Sequence, residues 1–166
     1  MNSHHIATYP FLESGAALED FLARWKAGTL PKPRWTHGAH VAVAAYLAFD
    51  HAPEDALNLT RAGIVHYNNC VGTPNTEDNG YHETLTRFWS CEIGNVVRRG
   101  GLASRLEAVR QVVRLFGADR DRHRLFYSFD VVADRRARRE WVAPDRSPGT
   151  PGNVCELLGA PSRPYP

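Results

Sequence analysis

The chain has 166 residues, with 43% apolar and 23% charged. That is globular composition, sized for one domain that buries roughly two-thirds of its unfolded surface, so disorder is excluded as the starting point. A formal net charge of +2 is too small to point to nucleic acid or an anionic membrane surface. The three cysteines, Cys70, Cys91 and Cys155, are widely spaced and form no CxxC pair, which favours reduced thiols in a reducing compartment. Met1-Asn2-Ser3-His4-His5-Ile6 has no basic start followed by an apolar run, so no signal peptide is expected. No segment approaches the ~18 apolar residues of a membrane span. The expectation is a cytoplasmic protein.

Helical periodicity dominates. Residues 1–12 read as an N-terminal arm, with His4-His5 at an exposed end. Ser14 caps a first helix reaching about Ala27, with Leu18, Phe21, Leu22 and Trp25 on one stripe. Gly28 stops it, and Pro31 and Pro33 hold the next stretch extended. Thr36 caps a second helix from His37 to about Asp50. A third spans about Pro53 to Val71, with proline in its first turn. A polar loop over residues 72–80 leads to a fourth helix from Tyr81 to about Arg99, ended by Gly100-Gly101. Ser104-Arg105-Leu106-Glu107 reads as a capping box for a fifth helix ending near Gly117.

Beyond that the pattern weakens. Residues 125–132 fit helix or strand, and Arg135 to Trp141 fits a short helix. Residues 144–166 form a Pro/Gly-rich tail. The fold class expected is all-α: a single-domain bundle of about five to six helices with a loop-rich C-terminal segment.

The polar residues concentrate in two places. Trp35-Thr36-His37-Gly38-Ala39-His40 opens the second helix, and Asn79-Gly80-Tyr81-His82-Glu83-Thr84-Leu85-Thr86-Arg87-Phe88-Trp89 opens the fourth. His37 and His40 are i, i+3 neighbours, with Ala44 and Ala48 leaving room beneath them. His82 begins the stripe of Leu85, Trp89, Ile93 and Val96. If the two helices enter from the same end of the bundle, three imidazoles converge. Such a set with an open position suits zinc, and also iron or manganese. A metal-bound water would supply a nucleophile or base near neutral pH.

Glu83 points about 100° away from His82. It reads as a partner for Arg87 at i+4, a group orienting a ligand histidine, or a general base. Arg87 also suits a substrate carboxylate or phosphate. Arg61 and Asn68 interrupt an apolar stripe on the third helix, so they complete the same pocket or bond to helix ends. Tyr81 and Tyr127 are further hydroxyls for its lining, and Trp89 is core or ligand platform.

Bland readings stand beside these. Histidines in first turns often bond a nearby carbonyl, and HxxH lacks the HExxH pattern of metalloproteases. His66 reads as exposed, His51 as a helix-end residue, and His123 as one member of a charged stretch. Arg120, Arg122, Arg124, Arg135, Arg136, Arg138 and Arg139 alternate with acids. That is the pattern of a solvated, ion-paired surface rather than a nucleic-acid footprint.

The elements Trp35-Thr36-His37-x-Ala39-His40, Gly80-Tyr81-His82-Glu83-Thr84-x-Thr86-Arg87-x-Trp89 and Ala137-Arg138-Arg139-x-Trp141-Val142-x-Pro144-Asp145 resemble a group of small uncharacterised bacterial proteins. These carry a THxxH element followed by YHxTxT. The resemblance covers most of residues 20–145 and implies that His37, His40, His82 and Glu83 form a site, with no reaction attached. Three histidines in a small bundle also resemble the DinB-like metal proteins, although spacing and helix order differ.

The expected function is a metal-dependent enzyme acting on a small polar or anionic molecule. His37, His40 and His82 hold the metal, Glu83 and Arg87 are catalytic, and Arg61, Asn68, Tyr81 and Trp89 contact substrate. Hydrolysis, hydration or elimination comes first, and iron–oxygen chemistry second. The alternatives are a non-catalytic ligand or metal sensor, or a purely structural polar cluster. The partner expected is a small molecule, without nucleic acid or membrane. The oligomeric state is left open, a homodimer included.

Overall fold

The computed structural model describes residues 9–147. Six α-helices carry the fold: α1 Gly15–Lys26, α2 His37–Asp50, α3 Pro53–Cys70, α4 Glu83–Arg99, α5 Arg105–Phe116 and α6 Arg135–Arg139. The described residues contain no strand, so the all-α expectation holds. None of their helices is long and apolar enough to cross a membrane.

Capping sets most helix starts. The Ser14 hydroxyl accepts from the Ala17 N–H at 3.1 Å, Thr36 from Ala39 at 3.3 Å and Ser104 from Glu107 at 3.2 Å. Glu107 does not reach back to the Ser104 amide as a strict capping box requires; its carboxylate accepts from Ala103 N–H at 2.9 Å. α4 begins two residues later than its sequence suggests. His82 is its N-cap, and His82 Nδ1 accepts from the Leu85 N–H at 3.3 Å. Gly80 makes this entry possible. Its φ is +76°, and a Cβ there would lie 2.5 Å from the Pro74 carbonyl oxygen.

α2 is the central helix and packs against α3, α4 and α5. Every residue from Val41 to Leu47 is buried. A helix apolar on all sides is one surrounded by protein, and its alanines let neighbours approach closely. Leu18, Phe21, Leu22 and Trp25 of α1 join the main core with Val109, Val112 and Val113 of α5. Gly63 lets α3 pass close to α1: a Cβ there would sit 2.1 Å from the Trp25 ring.

Residues 125–132 are neither long helix nor strand. A 3-10 turn over Arg122–Leu125 gives way to irregular chain. That chain folds over the start of α4 as a second core of Phe88, Phe126, Tyr127, Val131 and Ala137. The helix expected from Arg135 to Trp141 ends at Arg139. The N-terminal arm is more than an arm at its inner end, since Pro10–Leu12 forms a 3-10 turn that buries Phe11. His4-His5, Cys155 and tail residues 148–166 lie outside the described residues.

Candidate functional site

A cavity of about 500 Å³ opens between the start of α2, the start of α4 and the chain following α5. His37, His40, His82, Tyr81 and Trp89 line it, as do Trp35 and Thr36. The two sequence clusters therefore meet, as the three-histidine reading requires. A fourth histidine, His123, joins them with Arg120 and Arg138. All three of these additions come from the charged stretch read as surface. No helical phase marked them, because they stand on a 3-10 turn, a loop and a helix of five residues.

Each ring is fixed by a backbone group. His37 Nε2 donates to the Phe116 carbonyl at 3.1 Å, and its ring packs 4.8 Å from that of Trp89. His40 Nδ1 donates to the Thr36 carbonyl at 2.8 Å, and its ring lies against Trp35 at 3.8 Å. His123 Nδ1 donates to the Arg120 carbonyl at 3.2 Å. A carbonyl only accepts, so the bonded nitrogen carries the proton and the other keeps a lone pair: Nδ1 of His37, Nε2 of His40 and Nε2 of His123. His82 differs. Its Nε2 donates to Val131 O at 2.9 Å while Nδ1 caps α4, so both nitrogens are engaged.

Burial keeps all four rings neutral. It brings His40 down to about 4, against the Thr36 carbonyl, with the charges of His37 and Arg120 adding to the shift. It brings His82 to about 4 as well, against the Val131 carbonyl and with help from Arg138. His37 and His123 are lowered chiefly by burial.

No carboxylate lines this cavity among the described residues. Of the seven arginines in the charged stretch, five do pair with acids: Arg122 with Glu92, Arg124 with Asp121, Arg135 with Asp78, Arg136 with Glu140 and Arg139 with Glu77. The two on the cavity do not. Arg120 is exposed and makes no ion pair among the described residues. Arg138 Nη1 donates to Gly80 O and Tyr81 O, both at 3.3 Å, and Nη2 donates to Val132 O at 3.2 Å. Those carbonyls orient the guanidinium without neutralising it.

Five residues given site roles from sequence, Glu83, Arg61, Arg87, Asn68 and Tyr127, stand elsewhere. Glu83 does not pair with Arg87. It takes a two-pronged bond from Arg61, with Nη2 to Oε1 at 2.5 Å and Nε to Oε2 at 2.9 Å. The Tyr81 hydroxyl donates to Glu83 Oε2 at 2.5 Å. The Glu83 charge raises Arg61 against the effect of burial, and burial together with that carboxylate pushes Tyr81 up. This charge pair is complete and lies outside the cavity lining. Arg87 is buried with its guanidinium 5.0 Å from the Trp141 ring centre. Asn68 donates to Asn75 Oδ1 at 2.8 Å, and the same oxygen accepts from the Tyr81 N–H at 2.9 Å. It holds the loop before α4. The Tyr127 hydroxyl donates to Val142 O at 2.9 Å rather than entering the cavity.

Thr84, which the sequence left without a role, is fully buried. It donates to Glu140 O at 2.8 Å and accepts from Val142 N–H at 2.9 Å. Much of the GYHET element thus secures the chain that closes one side of the cavity.

Among the described residues no three His, Cys, Asp or Glu side chains are grouped as metal ligands. His37, His40 and His123 have the lone pairs a metal needs, whereas the Nδ1 lone pair of His82 would first have to release the Leu85 N–H. No family model, curated protein or solved structure matches the chain.

Proposed function

We propose that the chain is an enzyme for a small organic anion, bound in the histidine-lined cavity and acted on by proton transfer. One observation carries this reading. Among the described residues the cavity presents two arginines that form no ion pair and four neutral histidines, with no acid in its lining and Asp78 acting on Arg138 only at a distance. A cavity of about 500 Å³ lies within the range of small-molecule sites, which combine apolar walls with a few placed polar groups. Here Trp35, Trp89 and Leu85 supply wall, and Arg120 and Arg138 supply charge.

His40 and His123 are the bases this reading favours. Each fixes its proton on a carbonyl through Nδ1 and keeps an Nε2 lone pair. A base works best with its pKa near the working pH. The empty-site value of His40, about 4, is too low. Burial is the main cause of that low value and the Arg120 charge a smaller one; an anion bound beside Arg120 offsets the smaller one and raises the base from its resting value. Hydrolysis, hydration or elimination fits such a base.

A divalent transition metal, zinc, iron or manganese, is the second reading. Its support is that three rings hold their protons on carbonyls, the arrangement that orients ligating histidines. It requires those rings to draw together.

The test pairs calorimetric binding of a panel of small carboxylates and phosphates with turnover assays on each binder. His40→Gln and His123→Gln should retain most affinity and lose turnover. Binding without turnover of any binder would favour the sensor alternative. Absence of anion binding would overturn the reading.

A further inference from the structure

The two unpaired cationic groups of the cavity stand on different elements, Arg120 in the chain after α5 and Arg138 on α6. Arg120 follows α5, whose last residue, Phe116, holds His37 through its carbonyl, and the Arg120 carbonyl holds His123. Its charge is felt at His37 and His40, on the α2 side. Arg138 is fixed by the carbonyls of Gly80, Tyr81 and Val132, and its charge is felt at His82, on the α4 side. After its three carbonyl bonds, Arg138 keeps Nε–H and one Nη2–H for a ligand. Trp35 and Trp89 stand in the same lining.

Resting on the anion-binding reading above, we propose that the ligand is an organic dianion, with one anionic group at Arg120, the other at Arg138 and an aromatic or apolar body between them. A single compact anion would leave one arginine without a counter-charge. A cation meets the same electrostatic cost at either place, because no carboxylate lines the cavity among the described residues.

The experiment is titration calorimetry of the full chain with phthalate, isophthalate and terephthalate, against benzoate and inorganic phosphate, at low salt. At least one benzenedicarboxylate should bind about tenfold or more tighter than benzoate, the scale of one charge-assisted bidentate contact. Arg120→Gln should bring that dicarboxylate to the benzoate level while leaving the melting temperature unchanged, since the exposed Arg120 side chain makes no ion pair among the described residues. Arg138→Gln should do the same. Because Arg138 also holds three carbonyls, Arg138→Lys serves as the companion that keeps the charge, and it should retain part of the preference. Benzoate or phosphate binding as tightly as every dicarboxylate overturns the proposal and leaves the anion-binding reading standing. So does a preference for dicarboxylate that survives Arg120→Gln. If none of the probes binds, both fall.

Discussion

Arg61 on α3 and Glu83 on α4 meet as a two-pronged, buried ion pair, with Nη2–Oε1 at 2.5 Å and Nε–Oε2 at 2.9 Å. The Tyr81 hydroxyl completes the carboxylate, and Asn58 takes a further guanidinium N–H at 2.6 Å. Each guanidinium nitrogen faces an acceptor, which is how two charges persist where each is less than a tenth exposed. The pair ties the first residue of α4 to α3, next to the His82 cap.

Removing one member leaves the other charged and buried. Glu83→Gln or Arg61→Met should each cost about 3–5 kcal/mol, read by urea unfolding. The double variant Arg61→Met/Glu83→Leu should cost clearly less than the sum. Additive costs would mean that the two groups do not depend on each other. A ligand-binding role for Glu83 would instead appear as lost affinity with little change in stability.

Thr84 gives a local test. Thr84→Val keeps the shape but removes an acceptor from the Val142 amide and a donor from the Glu140 carbonyl. The expected cost is about 1–3 kcal/mol. Hydrogen exchange at the Val142 amide should accelerate more than exchange in the core of α2. Uniform acceleration across both would indicate global destabilisation rather than release of the chain covering α4.

These two residues show what the sequence made legible and what it did not. Apolar spacing, caps and glycine stops located α1 to α5, because such signals act within one turn of helix. His37, His40 and His82 were legible as one group, since each lies at a helix start on an inward face. The partner of Glu83 was not. An i+4 arginine stood next to it in sequence, and nothing local indicates that Arg61, 22 positions earlier, approaches across a helix interface. Arg120, His123 and Arg138 were hidden for the same reason. Their neighbours are set by a chain path without periodicity, and five similar arginines nearby do pair with acids.

Acid should destabilise the fold through the histidines. His40 and His82 lie near 4 when folded, against an unfolded value of 6.5. Below pH 6.5 the unfolded chain takes up protons first, so stability falls as pH drops through the interval from 6.5 to about 4 and levels for these groups beneath it. Each unit of difference is worth about 1.4 kcal/mol at most. Melting temperature measured against pH should show this limb, and His40→Gln should make it shallower. A flat profile across the interval would mean that the rings are not held neutral.

Ligand binding should take up protons. The Arg120 charge helps to depress His37 and His40, and a bound anion offsets it, so their pKa values rise on binding. Affinity for an anion should therefore increase as pH falls toward about 4, the value of His40 in the free protein, and calorimetry in buffers of different ionisation enthalpy should report proton uptake on that approach. Near pH 8 uptake should vanish, because both states are then neutral. Proton release would contradict the sign of the coupling.

Metal content separates the two readings of the histidines. The lone pairs of His37, His40 and His123 are not grouped as a ligand set, and His82 spends both nitrogens on Val131 and Leu85. The untagged protein, reconstituted with zinc, iron or manganese and then desalted, should therefore retain far less than about one equivalent by elemental analysis. Anion binding should be unchanged by chelator. About one equivalent retained by the parent, lost in His37→Ala/His40→Ala and kept in His82→Ala, would establish a metal held by the α2 histidines. The bound anion would then be a ligand to that metal as well as to the arginines. Loss in His82→Ala with its fold intact would restore the three-histidine set expected from the sequence, and would require the α4 cap to open when metal binds.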